Sequence, residues 1–157
     1  FRQADFVQNV IAILKQTGVD PKELMIELTE GIVIENIEDT IDKMNTLKQL
    51  GIRIAIDDFG TGYSSLAYLK QLPLDQLKIN DKFVRDIETD SNDVVIVETI
   101  ISMARHLGLS VVAEGVETAN QFVFLEDKGC HLFQGFYFSR PLTRKEFRNY
   151  AAVALTN

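Results

Sequence analysis

Apolar residues recur along this chain in two alternating periods. Phe6, Val7, Val10, Ile11 and Leu14 repeat at helical spacing, and Gly18 follows as a stop. Pro21 opens a turn, and Leu24-Met25-Ile26-Glu27-Leu28-Thr29-Glu30 then reads as a strand. Ile37, Ile41, Met44, Leu47 and Leu50 form a second helical stripe, closed by Gly51. A strand from Ile52 to Asp57 follows, then a glycine loop and a short helix through Leu69 that Pro73 breaks. Leu74 to Asn80 reads as a third strand, and Phe83, Val84 and Ile87 lie on a short helical or irregular connection. Val94 to Leu107 is helical, with Gly108 as its stop, and Leu109 to Gly115 is a fourth strand. Thr118 reads as the N-cap of a helix ended by Gly129, Cys130 to Phe138 as a fifth strand, and Thr143 as the cap of a final helix through about Ala154. Strand and helix therefore alternate with no linker between them, the signature of right-handed βαβ units and a parallel sheet.

A doubly wound sheet and part of a (β/α)8 barrel both fit this alternation, and the parity of the strands separates them. Glu27 shares a side with Met25 and Thr29 and opposes Ile26 and Leu28. Asp57 shares a side with Arg53 and Ala55 and opposes Ile52, Ile54 and Ile56. Lys78 opposes Leu77 and Ile79, Glu114 opposes Val111 and Ala113, and Gln134 opposes His131 and Phe133. Each strand thus carries a polar residue near its C-terminal end on the side away from the helix-facing one. That is how a barrel builds a mouth from strand ends. The expected fold is α/β: an incomplete (β/α)8 TIM-like barrel of about five βα units with the first strands missing.

Composition narrows the setting. The chain has 157 residues, 46% of them hydrophobic, which suits one compact domain and argues against disorder. A net charge of −7 disfavours a nucleic-acid duplex or an anionic membrane as partner. It leaves room for a small anionic ligand, because a bound metal reverses the local field. The single cysteine, Cys130, rules out an internal disulfide and fits a reducing, cytoplasmic setting. No apolar run is long enough to span a bilayer, and no signal peptide is visible. The chain starts at Phe1 without a methionine and enters a helical pattern at once, so it is expected to be a piece of something longer.

Carboxylates Glu27, Asp57 and Glu114, the ammonium of Lys78 and the amide of Gln134 at one mouth suit Mg²⁺ or Mn²⁺, which prefer oxygen ligands. Two such ions about 3.5–4 Å apart clamp the attacking water and the leaving oxygen of a phosphodiester. Glu27, Asp57 and Asp58 are candidate ligands, Lys78 a fixed positive charge for a water or phosphoryl oxygen, and Glu114 a ligand or general base. Taken alone, Asp57-Asp58 also fits a loop cap, Lys78 a solvated lysine, and Glu114 a structural partner of Lys78. Gly60-Thr61-Gly62 reads as a turn, since no Gly-Lys-Ser/Thr follows. His106 and His131 lack ligand spacing, and Cys130 reads as a small core residue.

Five strings occur in order: Glu27-Leu28-Thr29-Glu30; Asp57-Asp58-Phe59-Gly60-Thr61-Gly62-Tyr63-Ser64-Ser65-Leu66; Leu77-Lys78-Ile79; Ala113-Glu114-Gly115-Val116-Glu117-Thr118; and Gln134-Gly135-Phe136-Tyr137-Phe138-Ser139-Arg140-Pro141-Leu142. Over essentially the whole chain this resembles the bacterial EAL family of cyclic di-GMP phosphodiesterases. The resemblance implies a barrel that hydrolyses cyclic di-GMP to pGpG with Mg²⁺ or Mn²⁺ in second-messenger signalling. It implies that Glu27 and Asp57 are metal ligands, that Asp58 binds a second metal, and that Lys78 touches the water nucleophile and metal shell. Glu114 matches the family's glutamate, a ligand or base, and Gln134 its glutamine. Glu117 matches a position just behind the site. Glu30 matches the glutamate that holds the loop after Asp58, a loop that links metal site and dimer contact. One ring of the Phe133, Phe136, Tyr137 and Phe138 group is available to stack on a guanine.

Two departures stand out. The Glu-Ala-Leu strand is absent, as is the next strand with its Asn ligand, so residues 1–157 read as roughly the last two-thirds of a family domain, inactive alone. Asn80 stands where the family usually has aspartate; an amide keeps the shape but loses a negative charge. These departures keep a rival open, a non-catalytic cyclic di-GMP receptor or partner-binding module. The expected partners are cyclic di-GMP, an upstream sensory or GGDEF domain, and a second copy, because a five-stranded arc leaves two edges for homodimer or edge-to-edge association.

Overall fold

The computed structural model describes residues 1–62 and 66–154. Its centre is one all-parallel sheet of β1 (Met25–Thr29), β2 (Arg53–Phe59), β3 (Gln76–Ile79), β4 (Ser110–Glu114) and β5 (Leu132–Gln134), hydrogen-bonded in that order. Each strand lies beside its neighbour in sequence. A doubly wound sheet reverses its strand order partway; this one never does, and forms the arc of a barrel. Eight helices accompany it among the described residues: α1 (Phe6–Thr17), α2 (Glu30–Glu35), α3 (Ile37–Gln49), α4 (Leu66–Leu69), α5 (Asp81–Arg85), α6 (Ser91–Leu107), α7 (Ala119–Asp127) and α8 (Arg144–Ala154).

The core is the layer between sheet and helices. Leu28, Ile54, Ile56, Leu77, Ile79, Val111 and Ala113 supply the buried strand side. Met44 and Leu47 of α3 and Val97, Ile100, Ile101 and Ala104 of α6 supply the helical side. Each fully buried aliphatic side chain is worth about 1.5–3 kcal/mol over an exposed one. Helix ends follow local chemistry. Gly18 and Gly108 close α1 and α6 in the left-handed region, and Thr118 with Gln121 forms a reciprocal capping box at α7. At the opposite end of the sheet from the polar mouth, the Asp75 carboxylate accepts from the Ile54 amide at 2.8 Å and pairs with the Lys48 ammonium. The Asp75 carbonyl accepts from the Ser110 amide at 3.0 Å, so one residue ties β2, β3 and β4 together.

All five strands differ from the sequence reading at their boundaries. The first strand ends at Thr29, because Glu30 opens α2, a helix the pattern did not suggest. The second strand runs on to Phe59. The third and fourth are shorter than their apolar runs. The fifth is only Leu132–Gln134. There the chain turns because Gly135 lies hard against Val116: a Cβ on Gly135 would sit 2.1 Å from the Val116 carbonyl oxygen. Tyr63, Ser64 and Ser65, read as part of the glycine loop, lie outside the described residues. Among the described residues, no helix is long and apolar enough to cross a membrane.

Candidate metal centre

In a regular strand, adjacent residues point to opposite faces, so Asp57 and Asp58 ought to part. They do not. Ile56 pairs with Leu77 but Phe59 pairs with Ile79, so β2 carries one extra residue across Asp57–Asp58. Asp58 takes φ 55°, the left-handed region that aspartate tolerates better than most residues. This bulge turns both carboxylates to the mouth. Asp57, Asp58 and Glu114 each offer a carboxylate oxygen, all within 4.8 Å of one another. At an effective dielectric of 20, two such charges repel by about 3–4 kcal/mol. Crowding of this kind persists only with positive charge beside it.

Lys78 supplies part of that charge. Its ammonium lies 2.6 Å from Glu27 Oε2, 2.8 Å from Glu114 Oε1 and 3.0 Å from Asp57 Oδ1, with the side chain only 8% exposed. Burial works against its charge, but the hydrogen bonds it donates to Glu114 and Glu27 and its ion pair with Asp57 outweigh burial and hold the ammonium above its usual pKa. Glu114 is pushed upward, first by burial and then by the Asp57 and Glu27 charges; Lys78 counters only in part. One ammonium therefore faces three carboxylates, with Asp58 beside them, and the balance stays negative. The Asp57 Oδ1 atom is buried and makes no hydrogen bond, its approach to Lys78 being ionic. A buried carboxylate oxygen whose near partner is one ammonium, beside the carboxylate oxygens of Asp58 and Glu114, fits a hard divalent cation.

Neighbouring side chains fix the bulge. Asn80 Oδ1 accepts from the Lys82 amide at 2.9 Å and caps α5. That leaves its NH₂ to donate to Asp58 Oδ1, at 2.5 Å. Glu30, 5% exposed at the start of α2, accepts from the Gly60 and Gly62 amides at 3.3 and 3.1 Å. A Cβ on Gly62 would lie 2.8 Å from that carboxyl carbon, so the glycine is needed for the approach. Gln134 pairs in register with Glu114, and with Glu117 it lines a cavity of about 620 Å³ next to Asp58 and Glu114. Among the described residues, His106 and His131 take no part in the carboxylate cluster, and Cys130 is buried at 1% exposure. Asp81, and Arg140 of the fifth string, share this cavity, and the sequence reading gives neither a role. Asp81 follows Asn80 directly, and that adjacency was its only signal.

Parallel βα units that bring carboxylates, a lysine and an amide to one mouth define a barrel-type site whose acidic cluster could bind a metal ion. The chain belongs to the EAL-domain family, whose model matches residues 1–141. It is 49% identical over 140 residues to the cyclic di-GMP phosphodiesterase NbdA of Pseudomonas aeruginosa, covering 89% of this chain and 18% of NbdA. Among solved structures, the PaMucR phosphodiesterase in complex with c-di-GMP superposes with a TM-score of 0.90 at 40% identity, over 93% of this chain and 59% of that one. BlrP1 of Klebsiella pneumoniae, in a complex with manganese and cyclic di-GMP, gives a TM-score of 0.81 at 38% identity, over 89% of this chain and 36% of that one. The resemblance drawn from the motif strings and the barrel class both hold. The chain spans only a small part of NbdA's length.

Proposed function

We propose that the protein is a divalent-metal-dependent phosphodiesterase that hydrolyses cyclic di-GMP to pGpG in bacterial second-messenger signalling. The observation that carries this is the bulge at Asp57–Asp58, which gathers the carboxylates of Asp57, Asp58 and Glu114 beside the Lys78 ammonium. The names of NbdA and MucR support the substrate, and the manganese in the BlrP1 structure supports the metal.

Glu27, Asp57, Asp58 and Glu114 would hold Mg²⁺ or Mn²⁺. When bound, the metal supplies Lewis-acid stabilisation and a more acidic water. Lys78 holds a fixed positive charge where a phosphoryl oxygen or the nucleophilic water arrives. Glu114, its proton affinity raised, takes a proton from that water or completes the ligand set. Gln134 and Glu117 orient the nucleotide, and Asn80 and Glu30 keep Asp58 and its loop in place. A second copy and an upstream sensory or GGDEF domain are the expected partners, in the cytoplasm.

The test uses the full-length protein. With Mg²⁺ or Mn²⁺ it converts cyclic di-GMP to pGpG, and Glu114→Ala abolishes the conversion. Full turnover by that variant would remove Glu114 from the mechanism. Asn80, which replaces a carboxylate by an amide, favours a second reading: tight binding without product would make the protein a receptor.

A further inference from the structure

We infer that Arg140, stacked on Phe136, is the guanine-reading subsite of the cavity and sets base specificity. The inference rests on the cyclic di-GMP reading above. Arg140 Cζ lies 4.6 Å from the centroid of the Phe136 ring, and both residues line the cavity that holds Asp58, Glu114, Glu117 and Gln134. Backbone geometry puts them there. The Val116 amide donates to the Gln134 carbonyl at 3.1 Å, and the Tyr137 amide donates to the Val116 carbonyl at 3.0 Å. This sews the segment after β5 to the loop after β4, which carries Glu117. Phe133, Tyr137 and Phe138 then turn to Phe122, with ring centroids 4.9, 5.8 and 5.9 Å away. Phe136 is the ring of the group left facing the cavity, 49% exposed, and Arg140 covers it.

Arg140 has no acidic ion-pair partner among the described residues, although the chain carries a net charge of −7. Its stacked face is occupied, so its N–H edge is what it offers to a ligand. On the reading above, a phosphate sits at the metal that Asp58 and Glu114 would help hold. Elsewhere the lining carboxylates Asp81 and Glu117 repel one. Guanine suits both groups. It presents O6 and N7 as adjacent acceptors to an arginine fork, and N1–H and N2–H as donors to a carboxylate. Adenine puts an N6 donor where the fork requires an acceptor and has no N1–H.

The experiment compares full-length wild type with Arg140→Ala, Arg140→Lys and Phe136→Ala, using cyclic di-GMP and cyclic di-AMP as substrates. Arg140→Ala is expected to raise KM for cyclic di-GMP about tenfold or more, with a much smaller change in kcat. Arg140→Lys recovers little, because a point charge lacks the fork. The preference over cyclic di-AMP narrows by a similar factor, and Phe136→Ala raises KM in the same direction. Recovery by Arg140→Lys, or an equal loss with both dinucleotides, would overturn base reading in favour of simple charge attraction. A KM unchanged in Arg140→Ala, with wild type active, overturns the subsite alone. A wild type that neither binds nor cleaves cyclic di-GMP overturns the phosphodiesterase reading and the subsite with it.

Discussion

Lys78 bridges three carboxylates from three different strands, so its removal is felt beyond its own contacts. Lys78→Met leaves Glu27, Asp57 and Glu114 facing one another. Glu27 is 44% exposed, so water screens part of the cost, and a loss of about 1–3 kcal/mol in metal-free urea unfolding is expected. Added Mn²⁺ should restore part of it. The pH dependence has a definite sign. The folded-state pKa of Lys78 is raised, so its contribution is complete below the ordinary lysine value of 10.5 and is lost as pH climbs through the raised value. Alkaline unfolding of wild type above 10.5 should therefore show a component missing from Lys78→Met. Asn80→Asp swaps a donor for a second carboxylate beside Asp58. Without metal it should cost about 1 kcal/mol, and it should tighten Mn²⁺ binding in calorimetric titration. Parity made Glu27, Lys78 and Glu114 legible, because each sits in regular strand, and Asp57 because the bulge begins only after Ile56. Asp58 was named as a ligand from its neighbour and its motif but not from parity, since a regular strand would send it the other way and only the bulge returns it.

The helices with glycine stops were readable because the stop and the apolar stripe agree, as at Gly18 and Gly108. α2 was not: Glu30-Gly31 looks like a strand end, and glycine is a poor helix former. The fifth strand was overextended because Phe136, Tyr137 and Phe138 have high strand propensity. Packing on Phe122 and the approach of Gly135 to Val116 override that preference. Gly135→Ala must push the two loops apart, so a loss above about 2 kcal/mol is expected in thermal unfolding, together with a raised KM. Gly62→Ala collides with the Glu30 carboxylate and should loosen the loop after Asp58. Weaker divalent-cation binding in calorimetry, with little change in melting temperature, is the expected outcome.

On the scale of the whole molecule, β1 and β5 have no strand partner on their outer edges among the described residues, and the apolar side chains Leu132, Phe138, Leu142, Phe147 and Tyr150 are exposed at or beyond β5. Residues 1–157 expressed alone should therefore associate as concentration rises, and a monomer at every concentration in light scattering would refute this. The barrel class was legible because five units shared one parity; no sequence rule gave the tight packing of the loops after β4 and β5 that shapes the cavity.

The strand order has one more consequence, in the time domain. Pairing strictly in chain order lets each βα unit dock on the one made before it, so the sheet can grow from its N-terminal end as the chain emerges from a ribosome. Glu27, Asp57, Lys78 and Glu114 arrive on successive strands. The apolar layer behind the first three strands can be buried before Glu114 joins the other acids. Cation binding is therefore expected to appear in refolding only after the fourth strand has docked, and Mn²⁺ uptake ahead of that step in stopped-flow refolding would refute this.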